Sequence, residues 1–382
     1  MADTPIVQWI EGNRTCSARW RSERGASPPA KVVIATDETR ADEAYGLATQ
    51  GTALLYRGDF QNARQLLGAM ARRADRKASK RKDAAAPSLA DAFNLERQFR
   101  SQRARTLGML LIPLDADYSI PLGRAPDMRQ ACFETLGPAG KEPSLISLRE
   151  LQGLVGAHEW RVKGIEIPAL NASIHPYYGV FAPIRSEYVG LVANAPLPAA
   201  LEASSIAFDI GAGTGVLAAV LAKRGIERVV ATDQDPRALA CARENIERLG
   251  LKKQVDIVNA DLFPEGRAAL VVCNPPWVPA RPSSPLEQGI YDPESRMLQG
   301  FLRGLAAHLE PGGEGWLVLS DLAEHLGLRS REQLLAWIES AGLTVIDRID
   351  VRPTHPRVSD TTDPLHEARN AEITSLWRLS VR

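Results

Sequence analysis

The hydrophobic pattern of this chain becomes regular near residue 205. From there, short apolar runs alternate with segments of helical period: "SIAFDI" (205–210), "RVVATD" (228–233), "QVDIVN" (254–259), "ALVVCN" (269–274) and "WLVLS" (316–320). Between them lie the amphipathic stretches 216–225, 236–249 and 296–309, the last followed by a turn, "EPGGEG"; a further helix is expected over 331–341. Apolar strands alternating with helices predict a mostly parallel sheet covered on both faces. Two closing runs, "LTVIDRIDV" and "ITSLWRLSV", have no helix between them. The final strand should therefore insert antiparallel at the sheet edge.

The N-terminal part reads differently. Over 40–110, small and apolar residues recur at helical spacing with a Gly58-Asp59 break, which predicts a helical hairpin. The stretch resembles one tetratricopeptide unit, but a lone unit cannot stack and no second copy follows. Residues 73–88 are charged and poor in large apolar groups, which predicts a mobile loop, and a basic helix should follow. Residues 160–183 alternate like a small β-hairpin. The organisation expected is a mainly helical, partly basic domain over 1–165 and an α/β domain over 166–382, with 166–200 as a hairpin and helix lead-in.

Composition narrows the class. Of 382 residues, 45% are hydrophobic and 24% charged, ordinary for a globular protein. Lys+Arg and Asp+Glu are equal at 46 each, so no whole-chain field points to nucleic acid or membrane. Between Arg57 and Arg105, however, thirteen basic residues face five acidic ones, while residues 201–382 carry twenty and twenty-five. Cys16, Cys132, Cys241 and Cys273 are far apart, which argues against a metal site or a disulfide framework. No window has the roughly 20 apolar residues of a membrane span, and the N-terminus lacks the pattern of a signal peptide. A cytoplasmic protein is expected.

In "FDIGAGTGVLA", a glycine turn ends the first strand, where open α/β sheets bind ligands. Gly211, Gly213 and Gly215 are spaced G-x-G-x-G, not the G-x-G-x-x-G of dinucleotide sites. That counts against NAD and favours S-adenosylmethionine, which has no pyrophosphate to cradle. Asp209 can face the cofactor's ammonium or an ordered water. Asp233 ends the second strand and can accept both ribose hydroxyls. Asp261, in "NADLF", would meet the adenine amino group. Asp235-Pro236 reads instead as an N-cap and first helical residue.

"VVCNPPWVP" ends the fourth strand with Asn274-Pro275-Pro276-Trp277. Prolines cannot continue a central strand. In a methyl transfer to a conjugated nitrogen, two acceptors on its N–H groups orient the lone pair and favour charge build-up. The Asn274 oxygen and the Pro275 carbonyl are suited to this, Asn274 also bordering the cofactor, and Trp277 offers a flat face for stacking.

Together these residues resemble the class I methyltransferases of the "small" methyltransferase type. They are most similar to the glutamine amide methyltransferases of release factors and a ribosomal protein. The resemblance covers roughly residues 175–320 and rests on "DIGAGTGVLAAVLAKRG", "VVATDQDPRALACARENIERLGL", "NADLF" and "VVCNPPWVP". It implies a Rossmann-like seven-stranded sheet, S-adenosylmethionine bound through Gly211, Asp233 and Asp261, and substrate oriented by Asn274 and Pro275. Pro183, Arg185 and Glu187 match the family's proline-arginine-glutamate segment loosely. Trp277 stands where the family usually has Tyr, and the N-terminal part is longer and more basic than in the release-factor enzymes.

Two acceptors lead, a glutamine amide of a translation protein or an exocyclic base nitrogen of ribosomal RNA; a small molecule also remains open, although small-molecule methyltransferases seldom carry this tetrapeptide. The basic stretch 72–105 suits the RNA reading, since Lys and Arg contact phosphates, but it equally suits docking on a ribosome. A decayed binding module is opposed by the intact tetrapeptide. His355, in "VRPTHPRVSD", is a loop residue that could line the substrate side.

Overall fold

A computed structural model describes residues 5–79, 88–353 and 363–382. The chain divides into two compact units. The first comprises residues up to Pro87 together with Asn94–Glu159; the second comprises Ser88–Phe93 and Trp160–Arg382.

The first unit holds β1 (Ile6–Glu11), β2 (Arg14–Arg21), β3 (Lys31–Ala35), α1 (Ala41–Thr49), β4 (Thr52–Tyr56), α2 (Phe60–Ser79), most of α3 (Leu89–Leu107), β5 (Leu110–Leu114), α4 (Arg129–Leu136), β6 (Ser144–Ser147) and most of α5 (Leu148–Lys163). Its strands form one six-stranded sheet in the order β1-β2-β6-β5-β4-β3. The expectation of a mainly helical domain thus needs correcting. The helices exist, but they flank a mixed sheet, and the run "TALLY" is a strand between α1 and α2. Its central strands are four or five residues long and mostly apolar, a pattern that a buried helix shares. Pro113 argues against a strand at "LLIPL", yet the sheet tolerates it. β4 pairs only with Leu110 and Leu111, leaving Pro113 paired with Leu145 of β6 alone. Residues 73–79, read as loop, continue α2; the rest of that stretch, 80–87, lies outside the described residues.

The second unit opens with an antiparallel pair, β7 (Ile165–Ile167) and β8 (Ala172–Ile174). Then come α6 (Glu187–Asn194), β9 (Ile206–Ile210), α7 (Val216–Lys223), β10 (Arg228–Asp233), α8 (Pro236–Arg248), β11 (Val255–Asn259) and β12 (Ala268–Cys273). It closes with the short α9 (Pro285–Gln288), α10 (Arg296–His308), β13 (Leu309–Ser320), α11 (Leu322–His325), α12 (Arg331–Ser340), β14 (Leu343–Val351), α13 (His366–Ala371) and β15 (Thr374–Val381). Seven strands order as β11-β10-β9-β12-β13-β15-β14. The five through β13 run parallel; β15 is antiparallel to both its neighbours.

The last strand is therefore interior, not at the edge. Leu376, Trp377 and Leu379 are all buried, whereas β14 alternates with exposed positions and forms the edge. The expected turn "EPGGEG" lies within β13. Its register jumps from Ala268↔Leu309 to Leu270↔Glu314, so the intervening residues bulge from the ladder.

Each face of the sheet carries its own core. One joins Val216–Ala222 of α7 and Tyr188, Val189, Leu191 and Val192 of α6 to Ala207, Val229 and Val272. The other joins Leu298, Phe301, Leu302 and Leu305 of α10 to Phe208, Ile210, Val271 and Leu317. From β9 the chain moves outward through α7 to β10 on one side, and β12 later fills the other. The C-terminal ends of β9 and β12 are therefore a topological switch point.

Candidate cofactor and acceptor site

Beyond Ile210 the chain turns sharply through three glycines, each with positive φ: +78° at Gly211, +53° at Gly213 and +79° at Gly215. Such angles are costly for residues with a Cβ, and space adds a separate reason at two of them. A Cβ on Gly211 would lie 2.5 Å from the Met297 methyl, and one on Gly215 would lie 3.2 Å from Ala242 Cβ on α8. Gly213 faces open space. The turn is tied to β10 by the Gly211 and Ala212 N–H groups, which both donate to the Thr232 carbonyl at 2.9 and 2.8 Å.

Asp233, at the end of β10, braces the same turn. Its Oδ2 accepts from the Gly213 N–H and its Oδ1 from the Asp235 N–H, each at 3.0 Å. A carboxylate offers about four lone-pair positions, so both oxygens retain a position for ligand hydroxyls. Asp235 caps α8 as expected, accepting from the Arg237 N–H at 2.8 Å.

A cavity of about 1020 Å³, counting its open mouth, lies over this turn. Of the residues selected by sequence, Gly211, Gly213, Asp233 and Asn274 line it, so three separate strand ends converge on one space. Asp209, Gly215, Asp261, Pro275 and Trp277 do not line it. The cavity also takes residues that sequence reasoning missed: Gly179–Phe181 and Tyr188 from the lead-in, Gln288 and Gly289, Leu262 and Met297. The proline-arginine-glutamate match lies between Phe181 and Tyr188, and was the one signal pointing there. A Cβ on Gly289 would lie 2.6 Å from Phe181 Cβ, so glycine lets these two walls meet.

Asp209 lies beneath the turn, 1% exposed, with Oδ2 accepting from the Ala218 N–H at 2.9 Å. It braces the start of α7 instead of meeting an ammonium. Burial, with the Asp233 charge adding to it, pushes its carboxyl up to about 7. Asp261 is exposed and accepts from the Gln234 side chain at 2.6 Å, next to the cavity residues Ala260 and Leu262.

The Asn274-Pro275-Pro276-Trp277 turn forms another wall. Asn274 and Pro276 line the cavity; the Trp277 indole N–H donates to Asn274 Oδ1 at 2.8 Å. Beyond Trp277 the chain bridges to Tyr291, with the Asp292 N–H donating to the Val278 carbonyl at 2.9 Å. Asp292, itself buried, then accepts from the Met297 and Leu298 N–H groups at 3.0 and 3.1 Å and holds the start of α10. Met297 thereby reaches the Gly211 turn. Arg185 ties the lead-in to Glu372, just before β15, at 2.9 Å, and Ser320 donates to the same carboxylate at 2.7 Å. His355 lies outside the described residues.

The residue set fits S-adenosylmethionine. Backbone groups at a glycine turn suit an amino-acid moiety, Asp233 suits a ribose diol, and apolar wall residues Phe181, Leu262 and Met297 suit an adenine. The acidic groups Asp233 and Asp235 on the wall favour a net cationic ligand.

Comparison with known proteins agrees. Residues 179–335 match the family described as methyltransferase small domain. The chain is 32% identical over 184 residues to a release factor glutamine methyltransferase of Cereibacter sphaeroides, spanning 44% of this chain and 61% of that protein. It is 36% identical over 144 residues to a ribosomal protein L11 methyltransferase of Pelotomaculum thermopropionicum, spanning 37% and 39%. A solved ribosomal protein L11 methylase of Lactobacillus delbrueckii subsp. bulgaricus overlays with a TM-score of 0.35 at 16% identity, covering 53% of this chain and 83% of that one. The chain thus spans about three fifths or less of the length of these curated relatives. Residues 179–335 are thus similar to the methyltransferase small domain family, and S-adenosylmethionine is the methyl donor this similarity supports.

Proposed function

We propose that this chain is an S-adenosylmethionine-dependent N-methyltransferase acting on a glutamine side-chain amide of a translation protein. The observation that carries the reading is that Asn274 and Pro276 of the proline turn share one cavity with the Gly211–Gly213 turn and Asp233. When bound, S-adenosylmethionine supplies a methyl group made electrophilic by the sulfonium. The chain supplies position and charge. Asp233 accepts from the ribose hydroxyls, and Asp261, released from Gln234, accepts from the adenine amine. Asn274 Oδ1 and the Pro275 carbonyl accept the two N–H groups of a primary amide. That pairing fixes the plane of the amide and stabilises the positive charge its nitrogen gains in the transition state. The N–C bond forms as the methyl–sulfur bond breaks to leave a neutral thioether, and the nitrogen's proton then departs to water, so no ionised base is needed. The named relatives, which act on a release factor or on a ribosomal protein, support a protein acceptor.

An exocyclic amine of an RNA base presents the same N–H pair, and the thirteen basic residues of 57–105 favour it. Part of their charge is engaged within the first unit, however. Arg57, Arg73 and Arg103 pair with Glu11, Asp42 and Asp75 at 2.7, 2.5 and 2.7 Å, and Arg100 pairs with Glu96. Phosphate binding there would have to displace these partners, which weakens the RNA reading. The decisive test incubates the purified protein and methyl-tritiated S-adenosylmethionine with a lysate of cells lacking it. Acid-insoluble label removed by protease and not by RNase is expected; label removed by RNase alone would overturn the glutamine reading.

A further inference from the structure

Trp277 was expected to offer its ring face to the acceptor. The geometry points elsewhere. Asn274 and Pro276 line the cavity and Trp277 does not. Its ring is instead packed among apolar groups of the domain, including Val278, Phe93 and Leu326, and it also adjoins the cores on both faces of the sheet. Its carbonyl accepts from the guanidinium of Arg329, itself only 3% exposed, at 3.5 Å. A ring packed this way is not displayed to the cavity. What it sends toward the site is one polar atom, Nε1, which donates to Asn274 Oδ1 at 2.8 Å.

A carboxamide has an acceptor end and a donor end of nearly the same size and shape. Only one of its two orientations places oxygen where an acceptor nitrogen's N–H can reach it. We infer that Trp277 is a positioning residue whose indole N–H selects that orientation of Asn274. With the amide inverted, Nδ2 would face the indole N–H donor to donor, leaving a partly buried pair unsatisfied. With the indole in place, Oδ1 takes one hydrogen bond from Trp277 and keeps its second lone pair for the N–H of the planar nitrogen. A Tyr or Phe ring at this position has no ring N–H with which to do this. The inference rests on the reading that a planar N–H-bearing nitrogen is the acceptor, whether it belongs to protein or to RNA.

A carboxylate supplies the test, because both its ends accept. If Trp277 only chooses which end of the amide faces the acceptor, an aspartate in place of Asn274 no longer needs it. The wild type, Trp277→Phe, Asn274→Asp and the double variant form a double-mutant cycle. Each full-length protein is assayed with methyl-tritiated S-adenosylmethionine and the lysate acceptor, whichever macromolecule carries the label. Trp277→Phe should cut transfer at least about tenfold while cofactor affinity, measured by calorimetry, stays within about twofold. The same substitution in the Asn274→Asp background should cost almost nothing. A folding defect would not be relieved this way. Transfer by Trp277→Phe within threefold of wild type would overturn the inference, and so would an equal loss in both backgrounds.

A second readout needs no acceptor. In protein labelled with ¹⁵N at the indole nitrogens, the Trp277 resonance is the one absent from Trp277→Phe. It should shift upfield, and its proton should exchange faster with water, in Asn274→Ala. An unmoved resonance would overturn the hydrogen bond, even if no acceptor in the lysate takes label and the proposed function itself fails.

Discussion

Replacing Asp209 by Asn should change how stability depends on pH more than it changes cofactor binding. Asp209 sits in β9, 1% exposed, and accepts from the Ala218 N–H. Removal from water disfavours its charged form, and Asp233 adds like-charge repulsion, raising its midpoint from the ordinary 3.8 to about 7. An acid whose midpoint is higher folded than unfolded holds its proton more tightly in the folded state. Its stabilising contribution is complete below about pH 4 and is lost as pH rises through about 7. At about 1.4 kcal/mol per pH unit, a rise from 3.8 to about 7 makes that loss as much as about 4 kcal/mol. The asparagine side chain cannot ionise, yet its amide oxygen can still take the Ala218 N–H. The unfolding free energy of Asp209→Asn relative to wild type should therefore climb between about pH 4 and pH 7, by a few kcal/mol. Other acids whose midpoints are raised, the buried Glu150 and Asp292 and the half-buried Asp321, contribute to both proteins and cancel in the difference. Urea unfolding of the full chain at half-unit pH steps measures it. A difference flat to within about 0.5 kcal/mol across that range would mean that the buried carboxyl carries no such shift. A tenfold loss of S-adenosylmethionine affinity in this variant would reinstate the direct ammonium contact that the buried position argues against.

Other substitutions separate stability from binding. Gly215→Ala combines a φ of +79° with a Cβ 3.2 Å from Ala242 Cβ and 3.3 Å from its Cα, so its thermal midpoint should fall well below that of Gly213→Ala. Gly213→Ala, at φ +53° with no atom near its added Cβ, should cost only about 1–2 kcal/mol in stability and be felt mainly as weaker cofactor binding; equal thermal losses would contradict this. Arg185→Met strips the guanidinium from Glu372, whose side chain is 0% exposed. An unpaired buried charge should cost about 3 kcal/mol in urea unfolding, and Glu372→Gln in the same background should recover much of it.

How much was legible in the chain varied with how local the determining contact is. Strand, turn and helix from Ile206 to Asn259 could be read in order because apolar period, glycines and the Asp235-Pro236 cap are all local signals. So could the convergence of Gly211, Gly213, Asp233 and Asn274, since the connectivity of such a sheet dictates it. The burial of Asp209 could not be read, because it depends on an N–H inside the following helix. Trp277 looked like a stacking platform because an aromatic after two prolines suggests one; its packing is set by residues as distant in sequence as Phe93 and Leu326. The N-terminal sheet was hidden by length: four- and five-residue apolar strands such as "TALLY" carry no period that distinguishes them from a buried helical turn. Nor does local sequence tell that β15 lies between β13 and β14, because that choice is made by pairing across the sheet.

If the cavity over the glycine turn holds the methyl donor while Asn274 serves the acceptor, the two roles must come apart on mutation. Calorimetric titration of S-adenosylmethionine into the wild type, Asp233→Ala and Asn274→Ala separates them. The wild type should bind one molecule per chain. Affinity should be at least about tenfold weaker in Asp233→Ala, for loss of a charge-assisted pair of hydrogen bonds. Asn274→Ala should keep near-native affinity although transfer is lost. Equal affinity in wild type and Asp233→Ala, or no binding to the wild type, would show that the donor does not occupy this cavity.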